Sequence, residues 1–299
     1  MKRRILAAIA ALALGLTAVL GTSSAAVASH TPGALYVALG DSEAAGSGNM
    51  PYVDAVVDID GNGVPDCQQS KKSYPTVLSA ALGVPVVSAA CPGATTADVR
   101  EQAAYLHGLG ILGSATQLVT ITAGVNDIQW QMVLELCSGG ATQACEDAKD
   151  AAIARIPAIG EAIAQLIFLI RGFAPNAYIV VTGYPLLFGQ VADSCTIGAT
   201  RGGPVRLPAD FVLEVNAGVA GINSAILGGV MGYMGATGDL GVDYVPVADA
   251  FMTHGLCDTA DRWIYGASAG EPNKDRAFHA NAAGQQAWAM AILGQLPPR

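Results

Sequence analysis

A parallel β-sheet covered by helices on both faces is the fold this sequence predicts. Three observations lead there. Five short apolar runs have the length and the Val, Ile and Tyr content of buried strands: 34–39 (ALYVAL), 84–89 (VPVVSA), 117–123 (QLVTITA), 177–183 (AYIVVTG) and 243–247 (DYVPV). Helical stretches fall between them, near 73–82, 95–107, 148–173, 208–235 and 281–295. Strands that alternate with helices need crossover connections, and these pair the strands in parallel. The segment IGEAIAQLIFLIRGF is strongly apolar, but Glu161 and Arg171 interrupt it, so a core-facing helix is expected rather than a membrane span.

The N-terminus reads as a processing signal. Lys2, Arg3 and Arg4 precede the apolar stretch Ile5 to Gly21, and Ala26-Val27-Ala28 offers an A-x-A cleavage site. Residues 1–28 are expected to be a secretory signal peptide and 29–299 a single domain, secreted and without a transmembrane anchor after processing. Cleavage would remove three cations and no acid, which moves the formal charge from −9 to −12. That charge argues against nucleic acid and anionic membrane surfaces as partners. With 52% hydrophobic and 13% charged residues, a large core is expected and disorder is not. The six cysteines, Cys67, Cys91, Cys137, Cys145, Cys195 and Cys257, suggest three disulfides in an exported chain, with connectivity left open by count alone.

In open α/β sheets, ligands bind at the carboxyl ends of the strands. The first strand is followed by GDSEAAG, the second by ACPGATTADV and the third by GVND; RAFHANAAGQQAW leads into the last helix. Ser42, Gly93, Asn126 and His279 therefore fall where one site could form. They are the parts that acyl transfer requires. Ser42 can attack a carbonyl, and His279 can take its proton. The backbone N–H of Gly93, the Asn126 amide and the Ser42 N–H can receive an oxyanion. Each also has a plain structural reading: Ser42 as a helix cap, Gly93 as a turn before a helix capped by Thr95 or Thr96, Asn126 as a helix start, and His279 as a residue before a helix capped by Asn281. His254 is the rival base.

Taken together, the blocks Gly40-Asp41-Ser42, Gly93 in CPGATT, Gly124-x-Asn126-Asp127 and His279 resemble the SGNH, or GDSL, hydrolase family, and its secreted bacterial lipases and esterases with three disulfides in particular. The late segment 250–266 is similar to that subgroup as well. The resemblance implies a flavodoxin-like three-layer sandwich on a five-stranded parallel sheet. It implies Ser42 as nucleophile, His279 as base, and Ser42, Gly93 and Asn126 as the oxyanion hole. It also implies the sequential pairs Cys67–Cys91, Cys137–Cys145 and Cys195–Cys257. A small ester or lipid is the expected substrate, a carbohydrate acetyl ester the alternative, with no cofactor required for catalysis and the chain a monomer.

The sequence departs from the family pattern at three places. The Asp often found three residues before the histidine is Arg276 here, and Asp275 lies one residue further back. Either Asp275 or, preferably, the backbone carbonyl of Arg276 or Ala277 would orient the imidazole, which needs an acceptor for its ring N–H. Ala280 stands where proline often follows the histidine. Glu43 stands where the family usually carries an apolar or aromatic residue. It is expected to point away from the oxyanion hole onto an arginine; facing the site, it would raise the pKa of His279.

A separate signal lies at 58–66, DIDGNGVPD. Asp58, Asp60, Asn62 and Asp66 fall at positions 1, 3, 5 and 9 of an EF-hand-like loop, Gly63 at the turn and the carbonyl of Val64 at position 7. Position 12 is Gln69 rather than the bidentate Glu. A structural calcium ion is one reading, an acidic turn tied down by Cys67 the other. A non-catalytic, calcium-dependent binding protein is the competing function from another class. The calcium reading predicts that added calcium raises the melting temperature and EDTA lowers it; a melting curve indifferent to both overturns it.

Overall fold

A computed structural model describes residues 33–54, 67–137, 142–189, 194–200, 203–258, 261–268 and 276–298. All fall in one compact unit, Thr31–Arg299. The proposed signal peptide, the 58–66 loop with Asp58, Asp60, Asn62, Val64 and Asp66, and Asp275 lie outside the described residues.

The central sheet has five parallel strands, β1 (Tyr36–Gly40), β4 (Val86–Ser88), β5 (Leu118–Thr122), β6 (Tyr178–Thr182) and β9 (Val242–Val245), in the order β4-β1-β5-β6-β9. β4, β5 and β6 lie inside their apolar runs, and β1 and β9 overlap theirs but extend one residue past an end. β1 and β5 are buried at every position, as strands covered on both faces must be. One layer holds α2 (Tyr74–Leu82) and α8 (Ala282–Gln295), packed against each other through the stacked rings of Tyr74 and Trp288, 5.4 Å apart. The other holds α3 (Thr96–Gly108), α5 (Gln143–Phe173) and α6 (Ala209–Thr237). This is the three-layer, flavodoxin-like arrangement the sequence predicts. Buried hydroxyls inside it are paired: Tyr36 Oη with Thr120 Oγ1 at 3.0 Å, Tyr74 Oη with Thr122 Oγ1 at 2.8 Å, and Thr122 Oγ1 with Thr182 Oγ1 at 2.8 Å.

Several smaller elements have no counterpart in the sequence reading. They are α1 (Ser42–Ala45), the hairpin of β2 (Tyr52–Asp54) and β3 (Gln68–Ser70), α4 (Trp130–Cys137), α7 (Val247–Ala250), and a second sheet of β7 (Ser194–Thr200), β8 (Gly203–Pro208) and β10 (Ala267–Ser268). β8 alternates half-buried and exposed residues and includes a Gly and two prolines, a weak strand signal. The disulfides are Cys67–Cys91, Cys137–Cys145 and Cys195–Cys257, the pairing the resemblance implies. The last ties the second sheet to the segment after α7.

Helices α5 and α6 have the length and apolarity of membrane spans, yet they pack on the sheet and on each other. α5 turns Ile159, Ile163, Leu166, Ile167 and Ile170 inward, as expected of a core-facing helix, and leaves Ile153 and Phe168 exposed. The two helices touch backbone to backbone at Gly160 and Gly229: a Cβ on Gly229 would lie 2.2 Å from the carbonyl oxygen of Gly160. Its neighbour Gly228 faces open space. Alanine favours a helix over glycine by about 1 kcal/mol, whereas overpacking costs about 1–3 kcal/mol. Adjacent Gly→Ala substitutions should therefore act with opposite sign in urea denaturation. Gly228→Ala is expected to stabilise by up to about 1 kcal/mol, and Gly229→Ala to destabilise by about 1–3 kcal/mol. Equal effects would contradict the helix contact.

Candidate active site

The strand order brings the predicted site residues to one edge. β1 lies between β4 and β5, so the segment after β1 is flanked by the loop carrying Gly93 on one side and the loop carrying Asn126 on the other. The order also reverses at β1, which is where open α/β sheets place their ligand crevice.

Gly40 starts the site. Its φ is +145°, and a Cβ there would lie 2.4 Å from the carbonyl oxygen of Thr122. Only glycine lets β1 run this close to β5 before it turns. The Gln102 side chain brackets the turn, accepting from Gly40 N and donating to Gly40 O, both at 2.9 Å. Asp41 caps α1 by accepting the Glu43 N–H at 3.0 Å, and it accepts Tyr184 Oη–H at 2.6 Å. Ser42 is thus the first helical residue and not the cap. Its N–H is at a position with no intrahelical acceptor, which keeps that donor suited to an oxyanion.

Gly93 adopts φ +84°, is exposed and has open space around its Cα. The structure joins it to Asn126, whose Nδ2 donates to Ala94 O at 2.9 Å. The Asn126 Oδ1 accepts from Trp130 Nε1 at 3.1 Å and Gln131 Nε2 at 3.0 Å, so the amide is held in one orientation. One Nδ2 proton remains beyond the Ala94 bond. Asp127 pins the same two loops by accepting from Thr96 N at 3.0 Å and from the Thr96 hydroxyl. The capping readings for this region hold as well: Thr95 caps α3 and Asn281 caps α8.

His279 follows a tight turn in which Arg276 O accepts its backbone N–H at 3.1 Å. Phe278, just before it, takes φ +68°, a strained value for an aromatic residue that recurs at functional sites. The His279 carbonyl accepts from Tyr265 N at 2.9 Å. His107 and His254 have structural surroundings instead. His107 stacks on Phe173 at 4.0 Å with Nδ1 against Leu112 O. His254 stacks on Trp263 at 3.6 Å with Nδ1 against Asp261 O.

Glu43 corrects one expectation. Among the described hydrogen bonds and salt bridges no arginine reaches its carboxyl, which is buried and accepts the Ala280 N–H at 3.2 and 3.3 Å and Gln285 Nε2 at 3.3 Å. The residue after Ser42 is therefore bonded to the residue after His279. Asn49, also missed from sequence, donates from Nδ2 to Ala280 O at 2.9 Å. Burial raises the pKa of Asp41 to about 7, against the hydrogen bonds from Tyr184 and the α1 backbone. Burial, then the Asp41 charge, raises that of Glu43 to about 8, against the Ala280 N–H.

A parallel sheet with serine, glycine, asparagine and histidine at its carboxyl edge is the layout of an SGNH-type hydrolase. Residues 38–287 match the GDSL-like Lipase/Acylhydrolase family, and the chain belongs to it; it is a carboxylic ester hydrolase. It is 32% identical over 275 residues to Lipase 2 of Streptomyces coelicolor, covering 86% of this chain and 84% of that protein. It is 29% identical over 295 residues to a lipase of Streptomyces rimosus, covering 98% of each. Among solved structures it is similar to phospholipase A1 from Streptomyces albidoflavus, with a TM-score of 0.70 and 27% identity over 88% of this chain and 100% of that one. It is also similar to the extracellular lipase of Streptomyces rimosus, with a TM-score of 0.68 and 28% identity over 87% and 99%.

The buried acids give stability a defined pH dependence. In an unfolded chain both carboxyls ionise near pH ~4, whereas the folded pair holds its protons to about pH 7 and about pH 8. The folded state binds more protons across that interval. Its stabilisation is full below about pH 4 and is lost as pH rises through the two folded values. The melting temperature is expected to fall between pH 5 and pH 8, and Glu43→Gln to flatten that slope; a mutant slope equal to the wild type would refute the assignment.

Proposed function

We propose that this chain is a secreted esterase acting on acyl lipids through a Ser42–His279 acyl-enzyme mechanism. The observation that carries the reading is the Glu43–Ala280 hydrogen bond, which ties the segment of Ser42 to the segment of His279 between the Gly93 and Asn126 loops. Ser42 Oγ attacks the ester carbonyl while the imidazole of His279 takes its proton. The oxyanion is received by the N–H groups of Ser42 and Gly93 and by Asn126 Nδ2. His279 then protonates the departing alcohol, and in the second half it activates the water that releases the acid. A backbone carbonyl at Arg276 or Ala277, or the carboxylate of Asp275, orients the imidazole. The chemistry needs no organic cofactor.

Lipid esters are favoured as substrate because the relatives are named lipases and phospholipase A1. Secretion is supported by the signal-like residues 1–28, the three disulfides and a relative described as extracellular. A fluorophosphonate probe is expected to label the wild type. Ser42→Ala should abolish labelling and lower turnover by about 10⁴-fold or more. Asn126→Ala should lower kcat by about 10²–10³-fold with little change in KM. Labelling that survives Ser42→Ala would overturn the mechanism. On p-nitrophenyl esters, activity should extend to long acyl chains; strict acetate preference would instead point to a carbohydrate ester.

A further inference from the structure

We propose that Glu43 is a positioning residue: by accepting the N–H of Ala280, it fixes the main chain of His279 against the helix that carries Ser42. The inference rests on the Ser42–His279 mechanism above. Glu43 and Ala280 each directly follow one member of that pair, so a bond across 237 residues of chain sets how the two members approach. Ala280 is fully buried. It faces Ile264 in an isolated antiparallel bridge, but the bridge is made by His279 O with Tyr265 N and by Asn281 N with Trp263 O. The Ala280 N–H points away from it and needs an acceptor elsewhere, since a buried N–H left unpaired opposes folding. Glu43 supplies that acceptor, and Asn49 Nδ2 takes the Ala280 carbonyl at 2.9 Å. Both main-chain polar groups beside His279 thus end on side chains of the Ser42 segment.

The carboxyl is itself held. Gln285 Nε2 donates to Glu43 Oε2 at 3.3 Å and to Glu43 O at 3.1 Å, while Gln285 Oε1 accepts Tyr74 N at 2.6 Å. The titratable groups around it are acids and phenols, Asp41, Tyr74 and Tyr184, and no described salt bridge reaches it. A buried carboxyl without a cation opposes folding, so packing alone would favour an apolar side chain here. Its use is as an acceptor.

A double-mutant cycle with purified full-length enzyme tests this, read by kcat and KM on a p-nitrophenyl ester, the rate of fluorophosphonate labelling and the melting temperature. Glu43→Leu and Ala280→Pro should each lower kcat on the order of 10–100-fold, as small misplacements of a catalytic group do, with KM little changed and labelling slowed in parallel. Glu43→Gln keeps an acceptor oxygen and should recover most of the loss. The double variant E43L/A280P, which removes donor and acceptor together, should lose far less than the product of the single losses. Full kcat in a folded Glu43→Leu enzyme, or losses that simply multiply, would sink the proposal; should Glu43→Leu not fold, Ala280→Pro and Glu43→Gln decide it by the same readings. Ser42→Ala separates the two levels. If it retains turnover, the underlying mechanism fails and this inference with it; if it is inactive while Glu43→Leu is not, positioning alone fails.

Discussion

At the end of β1 the main chain of Gly40 runs so close to β5 that a Cβ would lie 2.4 Å from Thr122 O. The geometry of the site descends from that contact. Because no side chain intervenes, the chain turns at once, Asp41 caps α1, and Ser42 emerges at the first helical position. Because α1 is only four residues long and ends at the left-handed Gly46, Glu43 faces inward and Asn49 returns to the same place. Those two side chains meet Ala280. A steric constraint at one glycine thereby becomes the placement of a histidine at the far end of the chain.

The two ends of the sheet treat charge differently. At the amino end, Arg171 bonds Asp239 at 2.8 Å and also donates to the carbonyls of Ala177 and Gly241, tying the starts of β6 and β9 together. Burial raises the pKa of Asp239, but Arg171 and the Gly241 N–H outweigh it and hold the carboxyl below its usual range. At the carboxyl end, Asp41 and Glu43 are buried with N–H and O–H donors and, among the described residues, no cation, and both are pushed upward. The first arrangement favours folding at neutral pH, and the second opposes it. Sites that bear function commonly retain features that packing alone would discard.

The layers divide the work in a similar way. The helices α5 and α6, in backbone contact at Gly160 and Gly229, cover one face of the sheet and back the loop that carries Asn126, where a Cβ on Gly124 would lie 3.0 Å from Ile159 and 3.6 Å from Ile226. The second sheet, fastened by Cys195–Cys257, adjoins the segment that leads through Trp263 and Tyr265 to the His279 bridge. His254, stacked on Trp263, belongs to this support. A histidine that reads as a rival base in sequence becomes part of the wall behind the proposed one.

The five strands, the large helices and the four site blocks were legible in the sequence because each is local. Burial on both faces writes a short apolar run, the helices are the longer stretches between those runs, and Gly40, Gly93 and Gly124 answer to backbone conformations at their own positions. The second sheet was not legible, since β8 buries no residue fully and includes glycine and proline. The partner of Glu43 was not legible either. Sequence showed an acid where none was expected and, far downstream, an alanine with a spare N–H. Only the assembled sheet, with β1 at its reversal and α8 in the layer beside it, could bring donor and acceptor within 3.3 Å. A hydrogen bond between residues remote in sequence leaves no period and no spacing to read, and that is why the tertiary structure alone decided it.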